Sequence, residues 1–198
     1  MARQDWRPFL EEFSRLMLED EKIRSTLPES VLASGWLGFD PAPEEEIAEL
    51  EGRLRVHLPP SYRSFLETTN GWRNCGAFIY RLWPAREVAW FRQRHQEWID
   101  AYNNPKYPLP PVTDAEYYVY DGRQDPTLMR SEYLKTALEI SDVGDDAILL
   151  LNPRTLTIQG EWEAWFFADW LPGARRYRSF WDLMNGIRSE FIQIRHMR

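Results

Sequence analysis

A single cysteine, Cys75, stands in 198 residues. No internal disulfide can form, which fits a reducing compartment and points to the cytoplasm. Histidine is scarce too: His57, His95 and His196 match neither an HExxH nor a His-Cys metal pattern. No apolar run is long enough to span a bilayer. The opening MARQDWRPFLEEF carries charges where a secretory signal would be apolar, so neither a leader nor a membrane partner is expected. The ten glycines form no GxGxxG and no P-loop, so no cofactor is expected. Positive charge is in deficit, 24 Lys and Arg against 31 Asp and Glu, a net charge of -7. Phosphate backbones repel such a chain, which argues against nucleic acid. A basic protein partner is favoured instead, because opposite charge steers encounter.

Aromatic side chains are plentiful, at 15% with ten tryptophans, and apolar residues make up 43%. A chain of this length and composition can bury a substantial core as one domain spanning 1–198. Trp6, Phe9, Leu10, Phe13, Leu16 and Met17 fall on one helical stripe, so an amphipathic helix is expected over about residues 5–25, within an N-terminal segment 1–28. In GFDPAPEEEIAELEGRL, Pro43 suits a first helical turn and Glu44, Glu45 and Glu46 its positive end, while Ile47, Leu50 and Leu54 face inward. LPPSYRSFLETTNGW holds a third helix. Pro59 and Pro60 open it, Tyr62, Phe65, Leu66 and Thr69 make its buried side, and Asn70-Gly71 stops it.

AFIYRLW reads as a strand, and Val88, Phe91, His95, Trp98 and Tyr102 as the stripe of a helix over about 86–102. Residues 103–130 hold a Pro- and Asn-rich loop, a short strand EYYVY and a turn. LKTALEIS, AILLLNP and EWEAWFFADW then read as strands joined by Gly-Asp and Asn-Pro turns. Connections that short favour antiparallel pairing. A last helix starts where Ser179 and Asp182 form a capping box, with Phe180, Met184, Ile187, Phe191 and Ile194 inside. Helices, a strand meander and a closing helix predict an α+β fold, a central and mainly antiparallel sheet with helices packed on it.

The ordered set of elements at 44–54, 58–71, 144–146, 161–170 and 179–184 resembles the SUKH superfamily, the Smi/Knr-like domains. Its parts are an acidic helix, a Leu-Pro helix start with an Asn-Gly stop, a Gly-Asp turn before an apolar strand, a Trp-bearing strand and a Ser-Phe helix start. The likeness spans most of residues 30–195. The chain departs from it at Asp146, where the family more often has another glycine, and at 86–130, which reads as an elaboration. The resemblance implies binding and not catalysis. Bacterial members look mostly like immunity proteins encoded beside polymorphic toxins, many of them nucleases, whereas fungal relatives serve as regulatory interaction modules. The expected partner is therefore a cognate basic protein toxin. The alternatives are a regulatory or scaffold module without a toxin partner and, last, an enzyme.

The residues themselves offer little for catalysis. His95 shares a stripe with Phe91 and Trp98 and reads as a core-edge histidine, and Cys75 as a small buried thiol. SDVGDD brings Asp142, Asp145 and Asp146 into one turn, open to a divalent cation or to a plain Asp-Gly turn between strands; the oxygens lack the regular alternate spacing of a calcium loop. In EWEAWFFADW, period two puts Glu161, Glu163, Trp165, Phe167 and Asp169 on one face and Trp162, Ala164, Phe166, Ala168 and Trp170 on the other. The first face is either a partly covered sheet face or a partner-binding patch. On the second reading the patch comprises Asp142, Asp145, Asp146, Glu161, Glu163 and Asp169, with Trp165 as anchor.

Overall fold

Trp6, Phe9, Leu10, Phe13 and Met17 recur every three or four residues, and in the computed structural model, which describes residues 4–196, they form the buried side of α1 (Trp6–Leu18). Phe9 and Phe13 are buried as expected, and Leu16 packs against the core from its edge. The helix does not run on to residue 25. The Asp20 side chain accepts a hydrogen bond from Lys22 N and starts a separate turn, α2 (Glu21–Arg24), followed by α3 (Glu29–Ser34). α4 (Glu44–Leu54) starts after Pro43 with three glutamates in its first turn. α5 (Pro60–Thr68) has Pro59 as its cap and Pro60 at its first position, where a missing N–H costs nothing. Past the last residue, Thr68, and its extended C-cap Thr69, Gly71 takes the left-handed conformation (φ 104°), while Asn70 ties the chain down: its Oδ1 accepts from Ala85 N at 2.7 Å and its Nδ2 donates to Glu46 at 3.0 Å.

Two antiparallel sheets follow. β1 (Trp72–Arg73) pairs with β2 (Arg81–Leu82). The larger sheet has the order β3 (Ala89–Trp90), β4 (Leu138–Glu139), β5 (Ala147–Leu156), β6 (Trp162–Ala168), β7 (Gly173–Tyr177). α6 (Gln96–Tyr102) and α7 (Asp114–Tyr117) lie between β3 and β4, and α8 (Phe180–His196) closes the fold. The fold is α+β.

Several elements differ from expectation. Residues 86–102 do not form one helix. Ala89 and Trp90 pair with Leu138 and Glu139, a 3-10 turn takes Phe91–Gln93, and only Gln96–Tyr102 is α-helical. One apolar spacing serves both descriptions, and tertiary pairing decides between them. EYYVY contributes the end of α7, because Thr113 and Glu116 make a reciprocal capping box. Most of LKTALEIS is likewise not strand: Ser131–Thr136 form a 3-10 helix and only Leu138 and Glu139 join the sheet. The strand β7 lies in a stretch, GARRY, whose arginines mask it.

The five-stranded sheet is covered on both faces. Leu149, Leu151, Ala164 and Phe166 point into a core built with α1, α5 and α8. Ile148, Leu150, Trp165 and Phe167 point into a second core closed by Phe91, Ile99, Tyr117, Met129 and Leu134. Every residue of β6 is buried in consequence, so the segment between β3 and β4 roofs a face that would otherwise meet solvent.

Candidate functional site

The expected patch divides into two groups of different fate. Glu161, Glu163 and Trp165 are buried and do not form a surface, which corrects the reading of them as a docking patch. Glu161 accepts from Ser61 N at 2.9 Å and from Ser61 Oγ at 2.6 Å, at the start of α5. Burial raises its pKa despite those two hydrogen bonds, and Asp182 pushes the same way. Glu163 accepts from Tyr117 OH at 2.7 Å, Tyr120 OH at 2.8 Å, Asn152 Nδ2 at 3.0 Å and Trp165 Nε1 at 2.6 Å. Behind them, buried Arg176 donates to Leu128 O and Tyr117 O. Desolvation first, and the Glu163 carboxylate second, push the Tyr117 and Tyr120 pKa values up. The network pins the roof segment onto the sheet, and its role is structural.

Asp142, Asp145, Asp146 and Asp169 gather at one end of the sheet. Gly144 and Ala147 exchange backbone hydrogen bonds at 2.9 and 2.8 Å, and the two residues between them, Asp145 (φ 46°) and Asp146 (φ 56°), are left-handed. Positive φ at both centres is the two-residue hairpin turn that suits twisted strands. Asp169 N donates to Asp146 O at 3.1 Å, which brings the β6 end beside this turn. The half-buried Asp142 accepts from Arg81 N at 3.0 Å, and desolvation raises its pKa. Gly144 is required here, since a Cβ would stand 2.3 Å from Phe78 O.

Aromatic side chains surround these acids. Trp170 Nε1 donates to Asp145 O at 2.8 Å, and its ring meets Phe78 at 5.2 Å. The Tyr80 hydroxyl bonds to the Asp145 carboxylate, which together with burial raises the tyrosine pKa. Tyr80, Trp170 and Val143 are 49%, 48% and 40% exposed, while Asp145, Asp146 and Asp169 are open to solvent. The exposed indole of this cluster is therefore Trp170. Alternation assigned it to the apolar face, but β6 ends at Ala168, and period two says nothing beyond the strand. A groove of about 570 Å³ adjoins the cluster through Tyr80. It is walled by Ile23 and Leu27 on one side and by Phe191 and Ile194 of α8 on the other.

The residues weighed for catalysis have separate surroundings. His57 is exposed beside Glu51 at 3.7 Å. His95 stacks on Phe91 and faces buried Glu139 at 3.2 Å. The Cys75 thiol lies 3.6 Å from Met184 Sδ, and burial, aided by Asp142, pushes its pKa far up, which suppresses the nucleophilic thiolate. Among the described residues, no group of three His, Cys, Asp or Glu side chains is arranged to hold a metal ion, and no helix is long and apolar enough to cross a membrane.

No curated protein matches the chain. The family described as SMI1 / KNR4 family (SUKH-1) matches residues 41–186, from the approach to α4 into α8. That span takes in the acidic helix, the proline-started helix, the aspartate turn and the tryptophan strand in order, and the chain belongs to the SMI1/KNR4 family (SUKH-1).

Proposed function

We propose that this chain is a non-catalytic immunity protein of the cytoplasm that neutralises a cognate basic toxin by direct binding at the acidic, aromatic end of its sheet. The observation that carries the proposal is the convergence of Asp145, Asp146 and Asp169 with half-exposed Tyr80 and Trp170. Exposed aromatics supply buried area at low entropic cost, and a ring of acids steers a cationic partner. The net charge of -7 favours the same encounter, and the adjoining groove offers room for an apolar side chain of that partner.

The experiment is binding kinetics against the product of an adjacent toxin gene. Reversing charge with Asp145→Lys and Asp146→Lys slows association about tenfold and flattens its dependence on salt. Trp170→Ala speeds dissociation, by at least tenfold for an anchor worth about 2 kcal/mol. If all three variants keep the parent rates, the interface lies elsewhere on the molecule.

A further inference from the structure

At the far end of β5 the strand leaves its register. Pairing passes from Asn152 with Glu163 directly to Leu156 with Trp162, so Pro153, Arg154 and Thr155 bulge outward. Pro153 has no N–H to give a ladder, and Asn152 Oδ1 holds the bulge by accepting from Arg154 N at 3.0 Å. The bulge, Arg178 just past β7 and the chain after α7 enclose a cavity of about 410 Å³, lined among others by Tyr118, Tyr120, Arg154, Leu156 and Arg178.

The cavity inverts the charge of the molecule. Among the described residues no carboxylate lines it, and neither arginine is within ion-pair distance of one. Asp121 is within electrostatic reach of Arg178 but is engaged by Arg123 at 2.6 Å. Arg178 stands 5.4 Å from the Tyr120 ring, and Arg154 5.9 Å from that of Tyr133. Thr155 Oγ1, in the same bulge, is buried with no hydrogen-bond partner. Tyr118 is half-exposed, steadied by an edge contact with Tyr117 at 5.2 Å, and Leu156 is open beside it. Two guanidinium forks fit the oxygens of a doubly charged anion, and the tyrosine and leucine form an apolar wall for a flat body attached to it.

We infer that this groove binds a phosphate monoester whose organic part includes a flat aromatic ring, as in a free mononucleotide, where a ribose joins the two, and in a phosphotyrosine side chain. The site is independent of the proposed docking end. β5 separates the two by roughly 25 Å, at about 3.3 Å per residue.

Calorimetric titration with AMP, O-phosphotyrosine and inorganic phosphate tests it. The expected result is saturable binding of at least one ring phosphate at millimolar or lower concentration, the tighter of the two naming the source. Arg154→Gln and Arg178→Gln, both at exposed positions, each weaken that binding about tenfold. Tyr118→Ala weakens the ring phosphate and leaves inorganic phosphate unchanged, and Asp145→Asn leaves both unchanged. Absence of binding by either ring compound, parent-like affinity in both arginine variants, or inorganic phosphate binding as tightly as the ring phosphates overturns the inference.

Discussion

Glu163 and Glu161 lie two residues apart in the chain, and each carboxylate is committed to protein donors. Glu163 satisfies four donors in a space closed to water. Glu163→Ala leaves those donors without an acceptor and the buried Arg176 without the carboxylate 3.9 Å from it, and a loss of about 3–5 kcal/mol is expected in urea denaturation. Glu161 calls for a different measurement. Its folded pKa is raised above 4.5 by desolvation, so the folded state holds this proton to higher pH than the unfolded state does. Stability from this group is present in acid and falls as pH climbs from about 4.5 through the raised value. Glu161→Gln cannot ionise, and its stability is expected to fall less than the parent's between about pH 4 and pH 7. The alternation of EWEAWFFADW did place Glu163 with Trp165, and their side chains are 2.6 Å apart. That Tyr117 and Tyr120 cover them depends on a distant segment, and no local pattern reports it.

The aspartate turn is the element where stability and proposed binding pull in opposite directions. Two left-handed aspartates occupy positions that glycine fills without a Cβ penalty. Asp146→Gly is expected to raise stability by about 0.5 kcal/mol in thermal melting, while slowing association with a basic partner because a surface acid is lost. The turn itself was legible, since Gly-Asp between apolar runs signals a hairpin. The helices with proline starts and acidic first turns were legible for similar reasons: their signals are local and their caps lie within the same few residues. The short strand β3 was not, while β2 and β4 proved to be two-residue pieces of the longer runs AFIYRLW and LKTALEIS that read as strands. Two paired residues carry no period, and the identity of β3 rests on Ala89 pairing with Glu139 and Trp90 with Leu138, about fifty residues away. The surface at the aspartate end of the sheet was only partly legible. Asp142, Asp145, Asp146 and Asp169 stand out in the sequence as acids near strand ends, but Tyr80 and Trp170 reach them through a loop and a strand end, where periodicity has no force.

At the scale of the whole molecule, one sheet separates two cores, and the ends of the chain meet over the inner one. Trp6 touches Phe65, Phe180 and Trp181 at 5.4, 5.4 and 4.7 Å between centroids and donates its N–H to Ser61 O and Ser64 Oγ. Trp6→Ala is expected to cost about 3–5 kcal/mol, read as a lower denaturation midpoint with an unchanged slope. Phe13 meets Phe191, while Glu12 and Glu19 pair with Arg188 and Arg195. The joining of α1 to α8 also sets an order of events during synthesis. While α8 is still being made, the aromatic stripe of α1 lacks Phe180, Trp181 and Phe191, and the core stays open on that side. A nascent chain halted before residue 180 leaves the sides of Trp6, Phe9 and Phe13 that meet α8 uncovered to chaperones and proteases, and a chain carrying both helices closes them.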